Sequence, residues 1–128
     1  MANELILIVE DNPQSLKLVR DTLQVKGYQT IEAETGEEGL RLAHERQPAL
    51  ILMDIQLPGI KGVEALQRLR ADPVTHHTPV IAVTASVMPQ DRTRIMAAGL
   101  DDFQEKPISV RELLATVREI LDRRSSQS

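Results

Sequence analysis

The chain has 128 residues, which fits one domain with a single hydrophobic core, and its 41% hydrophobic and 27% charged content is typical of globular proteins. The net charge of −4 and the 2% aromatic content argue against binding nucleic acid through phosphate contacts or base stacking. No apolar run exceeds five residues and no cysteine is present, so the sequence predicts no membrane span, disulfide bond or thiolate metal site.

Strand and helix patterns alternate along the chain, beginning with an apolar strand at residues 5–9. Asn12 is a good N-cap for the first helix, and Pro13 suits its first turn. Apolar residues then recur at helical spacing until Gly27, where a left-handed stop is expected. Residues 28–33 predict a short strand at an edge of the sheet.

The middle of the chain contains the clearest buried strand. Thr35 and Glu38 form a capping box that opens the second helix, and Pro48 ends it. Residues 49–53 are continuously apolar, as central parallel strands are. A third helix follows and ends before Pro73.

The last third predicts two more strands and two more helices. Residues 80–84 form a second apolar strand, and a fourth helix extends from Pro89 towards Gly99. Residues 100–105 are assigned as the fifth strand, although two aspartates lie inside it. A capping box that begins at Ser109 opens the last helix. Its predicted apolar face consists of Val110, Leu114, Val117 and Leu121.

Five strand–helix units with short connections predict an α/β fold, with helices on both faces of a five-stranded parallel sheet. Right-handed crossovers favour the doubly wound, flavodoxin-like strand order 2-1-3-4-5. The switch point of that order lies between the first and third strands, where a ligand is expected. We expect one domain over residues 1–122 and a polar C-terminal tail over residues 123–128.

Polar side chains suited to phosphoryl chemistry follow or end four of these strands: Glu10 and Asp11, Asp54, Thr84, and Lys106. Carboxylates on one edge repel each other, and a hard divalent cation relieves the repulsion. Mg²⁺ is favoured, because it accepts one or two carboxylates and leaves room for a phosphate oxygen. Asp11 and Asp54 are the expected direct ligands, with Glu10 acting through water and the backbone carbonyl of Gln56 joining them.

Asp54 is the candidate nucleophile, because a carboxylate can attack a phosphoryl group and form an acyl phosphate. Lys106 would supply a positive charge to one phosphoryl oxygen, and Thr84 a hydroxyl to another. Taken alone, Thr84 is equally a helix N-cap and Lys106 a surface lysine. Three histidines are expected to be surface residues: His44, His76 and His77.

In this order and spacing, the motifs resemble the response-regulator receiver domains of two-component signalling, from about residue 5 to residue 121. The resemblance is carried by residues 9–12, 52–58, 83–85 and 106–107. The opening of the chain and residues 27–30 and 106–110 resemble the single-domain DivK type in particular.

The resemblance implies that Asp54 accepts a phosphoryl group from a histidine kinase or a histidine phosphotransfer protein. It also implies that Glu10 and Asp11 hold Mg²⁺, and that Thr84 and Phe103 form a switch pair. A downstream protein would contact the surface of the fourth helix, fifth strand and fifth helix. Direct nucleic acid and membrane partners are not expected, and the location is expected to be cytoplasmic.

Two positions depart from the common pattern of the family. Glu10 stands where many receivers have Asp, and Phe103 stands where Tyr is common. Phe103 cannot donate a hydroxyl hydrogen bond, and as the only phenylalanine it is alternatively a core residue. The resemblance also implies a cis bond before Pro107.

Two other functions remain as alternatives. An aspartyl-nucleophile phosphatase would need an acid where this chain has Gln56, which disfavours turnover of external substrates. A phosphate-independent interaction module would keep the fold without the site. The first hypothesis remains a switch that catalyses only its own phosphorylation and dephosphorylation.

Overall fold

The computed structural model describes residues 3–55, 62–84 and 89–126, where five strands alternate with five helices. The strands are β1 (Leu5–Val9), β2 (Gln29–Ala33), β3 (Leu50–Met53), β4 (Val80–Thr84) and β5 (Asp102–Glu105). The helices are α1 (Pro13–Val25), α2 (Gly36–Arg46), α3 (Gly62–Ala71), α4 (Pro89–Ala97) and α5 (Val110–Ser126). All strand pairs are parallel, and the order β2-β1-β3-β4-β5 confirms the prediction.

Each face of the sheet has its own hydrophobic core. Successive side chains of a strand point to opposite faces, so β1 contributes Ile6 and Ile8 to one core and Leu7 and Val9 to the other. The first core lies under α1 and α5, and the second lies under α2, α3 and α4. Across the described ranges, no helix has both the length and the apolarity to cross a bilayer.

Side chains confirm the predicted starts of three helices, and glycines confirm the predicted ends of two. Asn12, Thr35 and Ser109 each accept a hydrogen bond from a backbone N–H in the first turn of α1, α2 and α5. Gly27 and Gly99 follow α1 and α4 with φ of 91° and 107°, a left-handed conformation that favours glycine.

The predicted apolar face of α5 is partly wrong. Val110 is 41% exposed and Leu114 only half-buried, whereas the core residues of this helix are Leu113, Val117, Ile120 and Leu121. The sequence of α5 contains two overlapping apolar stripes at helical spacing. Packing against the sheet selects the stripe through Leu113. Leu114 packs at the margin of this core, and both Val110 and Leu114 line a groove beside α1.

Four predicted boundaries also shift. β2 begins at Gln29, β3 at Leu50 and β5 at Asp102, each later than predicted, and α5 continues to Ser126. Residues 123–126, predicted as part of a tail, are therefore helical. One ion pair supports the extension, since Arg123 lies 3.3 Å from Glu119, one turn earlier in the helix.

Arg70, near the end of α3, connects three segments at the edge of the sheet opposite the strands' carboxyl ends. Its guanidinium donates to the carbonyl oxygens of Thr78 at 2.6 Å and Gly99 at 2.7 Å. It also lies 3.1 Å from Oδ2 of Asp101, which accepts a 2.9 Å hydrogen bond from the N–H of Val80. The end of α4 and the start of β4 are therefore held at one cation.

Candidate functional site

The predicted site residues lie at the carboxyl edge of the sheet, where the backbone ladder fixes their positions. The N–H of Asp54 donates to the carbonyl oxygen of Val9 at 2.9 Å. The N–H of Lys106 donates to the carbonyl oxygen of Thr84 at 2.7 Å, and the N–H of Glu10 donates to a carbonyl oxygen of β2 at 2.9 Å. Each of these three side chains therefore starts from a backbone position that the sheet determines.

Three carboxylates meet at this edge, as the sequence predicts. One ligand oxygen from each of Glu10, Asp11 and Asp54 lies within 4.8 Å of the other two. Glu10 and Asp54 are 4% and 6% exposed, and Asp11 is exposed. Carboxylate oxygens at this spacing suit a hard divalent cation, and the exposed Asp11 leaves one side of the group open to solvent.

The ammonium of Lys106 lies between the two buried carboxylates. Its Nζ is 2.7 Å from Oε1 of Glu10 and 3.1 Å from Oδ2 of Asp54. Burial alone would lower the pKa of Lys106, but its hydrogen bonds and charge interactions with Glu10 and Asp54 raise it above the ordinary value. The lysine is therefore positively charged at this site. The peptide bond between Lys106 and Pro107 is cis, as expected.

Glu10 bears an unfavourable charge despite these contacts. Burial raises the pKa of Glu10, and hydrogen bonds from Lys106 and the N–H of Asn12 offset this only in part. The Asp54 charge raises the pKa further. One ammonium faces three carboxylates, so a divalent cation fits the donor set and the charge of this group.

Thr84 presents a buried hydroxyl at the end of β4. Its side chain is fully buried, and Oγ1 has no hydrogen-bond partner among the residues that the structure describes. Buried hydroxyl groups are nearly always hydrogen-bonded, and leaving one unpaired costs about 1–3 kcal/mol. An oxygen-rich ligand at this edge would remove that penalty.

Phe103 lies at the margin of the core that α2, α3 and α4 cover. Its half-buried ring is covered by Arg92 of α4, whose guanidinium carbon is 5.0 Å from the ring centroid. Sequence reasoning misses Arg92, because α4 has no pattern that marks it and its partner belongs to a different element.

Two further predictions concern residues around this site. The backbone carbonyl of Gln56 lies outside the described residues. All three histidines are exposed, as predicted, but Nδ1 of His44 lies 2.7 Å from Oδ2 of Asp72 and so joins α2 to the end of α3. The sequence does not predict this pair, because its members are 28 residues apart.

Comparison with known families agrees with this fold and geometry. Residues 6–118 match the family model of the response regulator receiver domain. The chain belongs to the response-regulator receiver domain family, and its general role is that of a receiver in two-component signalling.

Individual relatives confirm the resemblance to the DivK type. The chain is 46% identical over 116 residues to the polar-differentiation response regulators DivK of Brucella ovis and Brucella abortus, covering 91% of this chain and 94% of each relative. A CheY-like receiver domain from Methanospirillum hungatei has a TM-score of 0.93 at 29% identity, covering 99% of this chain and all of the other.

A solved receiver with a metal is also similar. The receiver domain of a Pseudomonas aeruginosa sensor histidine kinase has a TM-score of 0.82 at 34% identity, covering 95% of this chain and 97% of that one. In that protein a magnesium ion is coordinated in the active-site cleft.

Proposed function

We propose that this chain accepts a phosphoryl group from a phosphohistidine onto Asp54 and thereby alters a surface that a partner protein contacts. The donor would be a histidine kinase or a histidine phosphotransfer protein. The observation that carries the proposal is the position of Asp54, whose Oδ2 lies 3.1 Å from Nζ of Lys106 and beside two further carboxylates. A buried nucleophile with a cation on one side and an acidic cluster on the other suits phosphoryl transfer.

The transfer forms one bond and breaks one. A carboxylate oxygen of Asp54 attacks the phosphorus, the P–N bond breaks, and the imidazole nitrogen keeps the electron pair. Lys106 then donates to a phosphoryl oxygen in place of a carboxylate oxygen, and the hydroxyl of Thr84 donates to another. Mg²⁺, held by Glu10, Asp11, Asp54 and the carbonyl of Gln56, would supply charge that offsets that of the transferring group.

The consequence for the partner surface follows from population shift. Phosphorylation would draw Thr84 towards the new anion and let Phe103 turn inward, which favours one of two packings of α4, β5 and α5. A downstream protein would distinguish the two states at that surface. We further propose that residues 1–122 form the receiver domain, that the chain is cytoplasmic, and that its chemistry is limited to its own phosphorylation and dephosphorylation.

The test is incubation with Mg²⁺ and acetyl phosphate, followed by intact-mass measurement. We expect the native chain to gain one phosphoryl group, which hydroxylamine removes because an acyl phosphate reacts with it. Asp54→Asn should gain none. Asp72→Asn, which changes a carboxylate outside the site, is the matched control and should behave as the native chain.

Three results would contradict the proposal. The first is an unchanged mass of the native chain with Mg²⁺ present, which favours a phosphate-independent interaction module. The second is equal labelling of Asp54→Asn and native protein, which places the reactive group elsewhere. The third is sustained hydrolysis of a generic phosphomonoester, which favours the phosphatase alternative.

A further inference from the structure

Arg92 holds the candidate switch residue from the side of α4. The guanidinium carbon lies 5.0 Å from the centroid of the Phe103 ring, within the roughly 6 Å range of cation–π attraction. Arg92 is exposed and makes no ion pair with any residue that the structure describes. Among the described residues, the Phe103 ring is therefore the group that the Arg92 charge contacts.

Two kinds of contact hold the ring among the residues that the structure describes. Phenylalanine has no hydroxyl to hydrogen-bond, so these contacts are apolar packing against the core and the Arg92 cation. Phe103 is half-buried, with its apolar contacts in the core that includes Ile95 of α4. Removing the Arg92 contact should therefore shift the equilibrium between the positions of the Phe103 ring.

The register of the sheet connects this ring to Thr84. Phe103 pairs with Ala82 on β4, and Thr84 lies two residues further along the same strand. Side chains two residues apart on a strand share a face, so Phe103 and Thr84 lie on the same side of the sheet.

We propose that Arg92 is a latch that holds Phe103 against α4 in the resting state and so opposes the switch. This inference rests on the proposed function, because the latch is released when Thr84 moves towards the phosphorylated Asp54. Release frees the Arg92 cation at the surface of α4, and the same event that moves the ring changes the charge that a partner meets there. Arg92 is a positioning residue, since it acts through the ring.

A single fluorine label tests the latch. Phe103 is the only phenylalanine, so protein grown with 4-fluorophenylalanine gives one ring ¹⁹F resonance. We compare the native chain with Arg92→Met, which keeps the aliphatic stem, and Arg92→Lys, which keeps a cation. Arg46→Met removes an exposed arginine from α2 and serves as the matched control.

Two readouts are taken on each protein. Without ligand, Arg92→Met should shift the ring resonance, Arg92→Lys should shift it less, and Arg46→Met should leave it unchanged. With Mg²⁺, the beryllofluoride concentration at half-saturation should fall about two- to fivefold in Arg92→Met, the factor expected for loss of an exposed cation–π contact. In a Phe103→Leu background, Arg92→Met should no longer change that concentration.

The outcomes separate the two proposals. An unchanged ring resonance in Arg92→Met, or an unchanged or raised half-saturation concentration, overturns the latch while a normal native response upholds the proposed function. An effect of Arg92→Met that persists in Phe103→Leu also overturns it, because the ring would not be the intermediary. If the native chain itself shows no Asp54-dependent beryllofluoride response, the proposed function fails and the latch fails with it.

Discussion

Replacing Thr84 with valine should raise the stability of the unliganded protein and lower the stability of its phosphoryl-bound form, each relative to the native chain. Valine has the shape of threonine but carries a methyl group in place of the hydroxyl. Oγ1 of Thr84 is buried without a hydrogen-bond partner among the described residues, and such a group costs about 1–3 kcal/mol. We therefore expect the free energy of unfolding of Thr84→Val to rise by about 1 kcal/mol in the absence of ligand.

The same substitution should weaken binding of beryllofluoride, which stands in for the phosphoryl group. Hydrogen bonds to charged groups contribute about 1.5–3 kcal/mol, and about 1.4 kcal/mol corresponds to a factor of ten in affinity. Thr84→Val should therefore bind beryllofluoride with Mg²⁺ at least about tenfold more weakly. Opposite signs for stability and binding are typical of a group retained for function.

The assay is urea unfolding with and without Mg²⁺ and beryllofluoride, and Thr75→Val is the matched control. Thr75 is 1% exposed, but its Oγ1 donates to the carbonyl oxygen of Leu69 at 2.8 Å. Its removal should lower the free energy of unfolding by about 1–2 kcal/mol. If Thr84→Val loses as much stability as Thr75→Val, or binds beryllofluoride normally, the reasoning about the unpaired hydroxyl is wrong.

Three further predictions concern stability and titration. Arg70→Met should lower the free energy of unfolding by about 2–4 kcal/mol in urea unfolding, because carbonyl oxygens and Asp101 lose a largely buried cation. Because burial raises the pKa of Glu10, stability is lost as pH rises through its folded pKa, and without Mg²⁺ the stability of Glu10→Gln relative to the native chain should increase as pH rises above the ordinary glutamate pKa of 4.5. The hydrogen bond from His44 lowers the pKa of Asp72 below its ordinary 3.8, and His44→Ala should raise it in a carboxyl NMR titration.

The same contacts supply a control or a contradicting result for each of these three predictions. Arg70→Lys should recover only part of the stability, because one ammonium cannot reach both Thr78 and Gly99 as the forked guanidinium does. A stability difference between Glu10→Gln and the native chain that is flat with pH would contradict the raised pKa. An Asp72 titration that His44→Ala leaves unchanged would mean that the pair does not persist in solution.

The strand ends of the site were predictable because the sheet has strong sequence patterns. The runs that became β3 and β4 are continuously apolar and buried throughout, which is typical of central parallel strands. Parallel strands bring their carboxyl ends to one edge, so Asp54 and Lys106 were expected to meet despite their separation in sequence.

Other features depend on tertiary contacts that no local pattern contains. The start of β5 is polar, so only pairing with β4 defines it. The choice between two apolar stripes of α5 depends on how the helix lies on the sheet. Arg70 and Arg92 act on groups in other elements, and neither belongs to a motif.

The attachment of α4 through Arg70 has a consequence for how such a protein can diverge. Arg70 binds main-chain oxygens of Gly99 and of the loop before β4, and none of these anchoring atoms belongs to a side chain of α4. Side chains on the outer face of α4 can therefore be substituted without weakening the hydrogen bonds that attach the end of the helix. New recognition can evolve on that face while the scaffold beneath keeps its geometry.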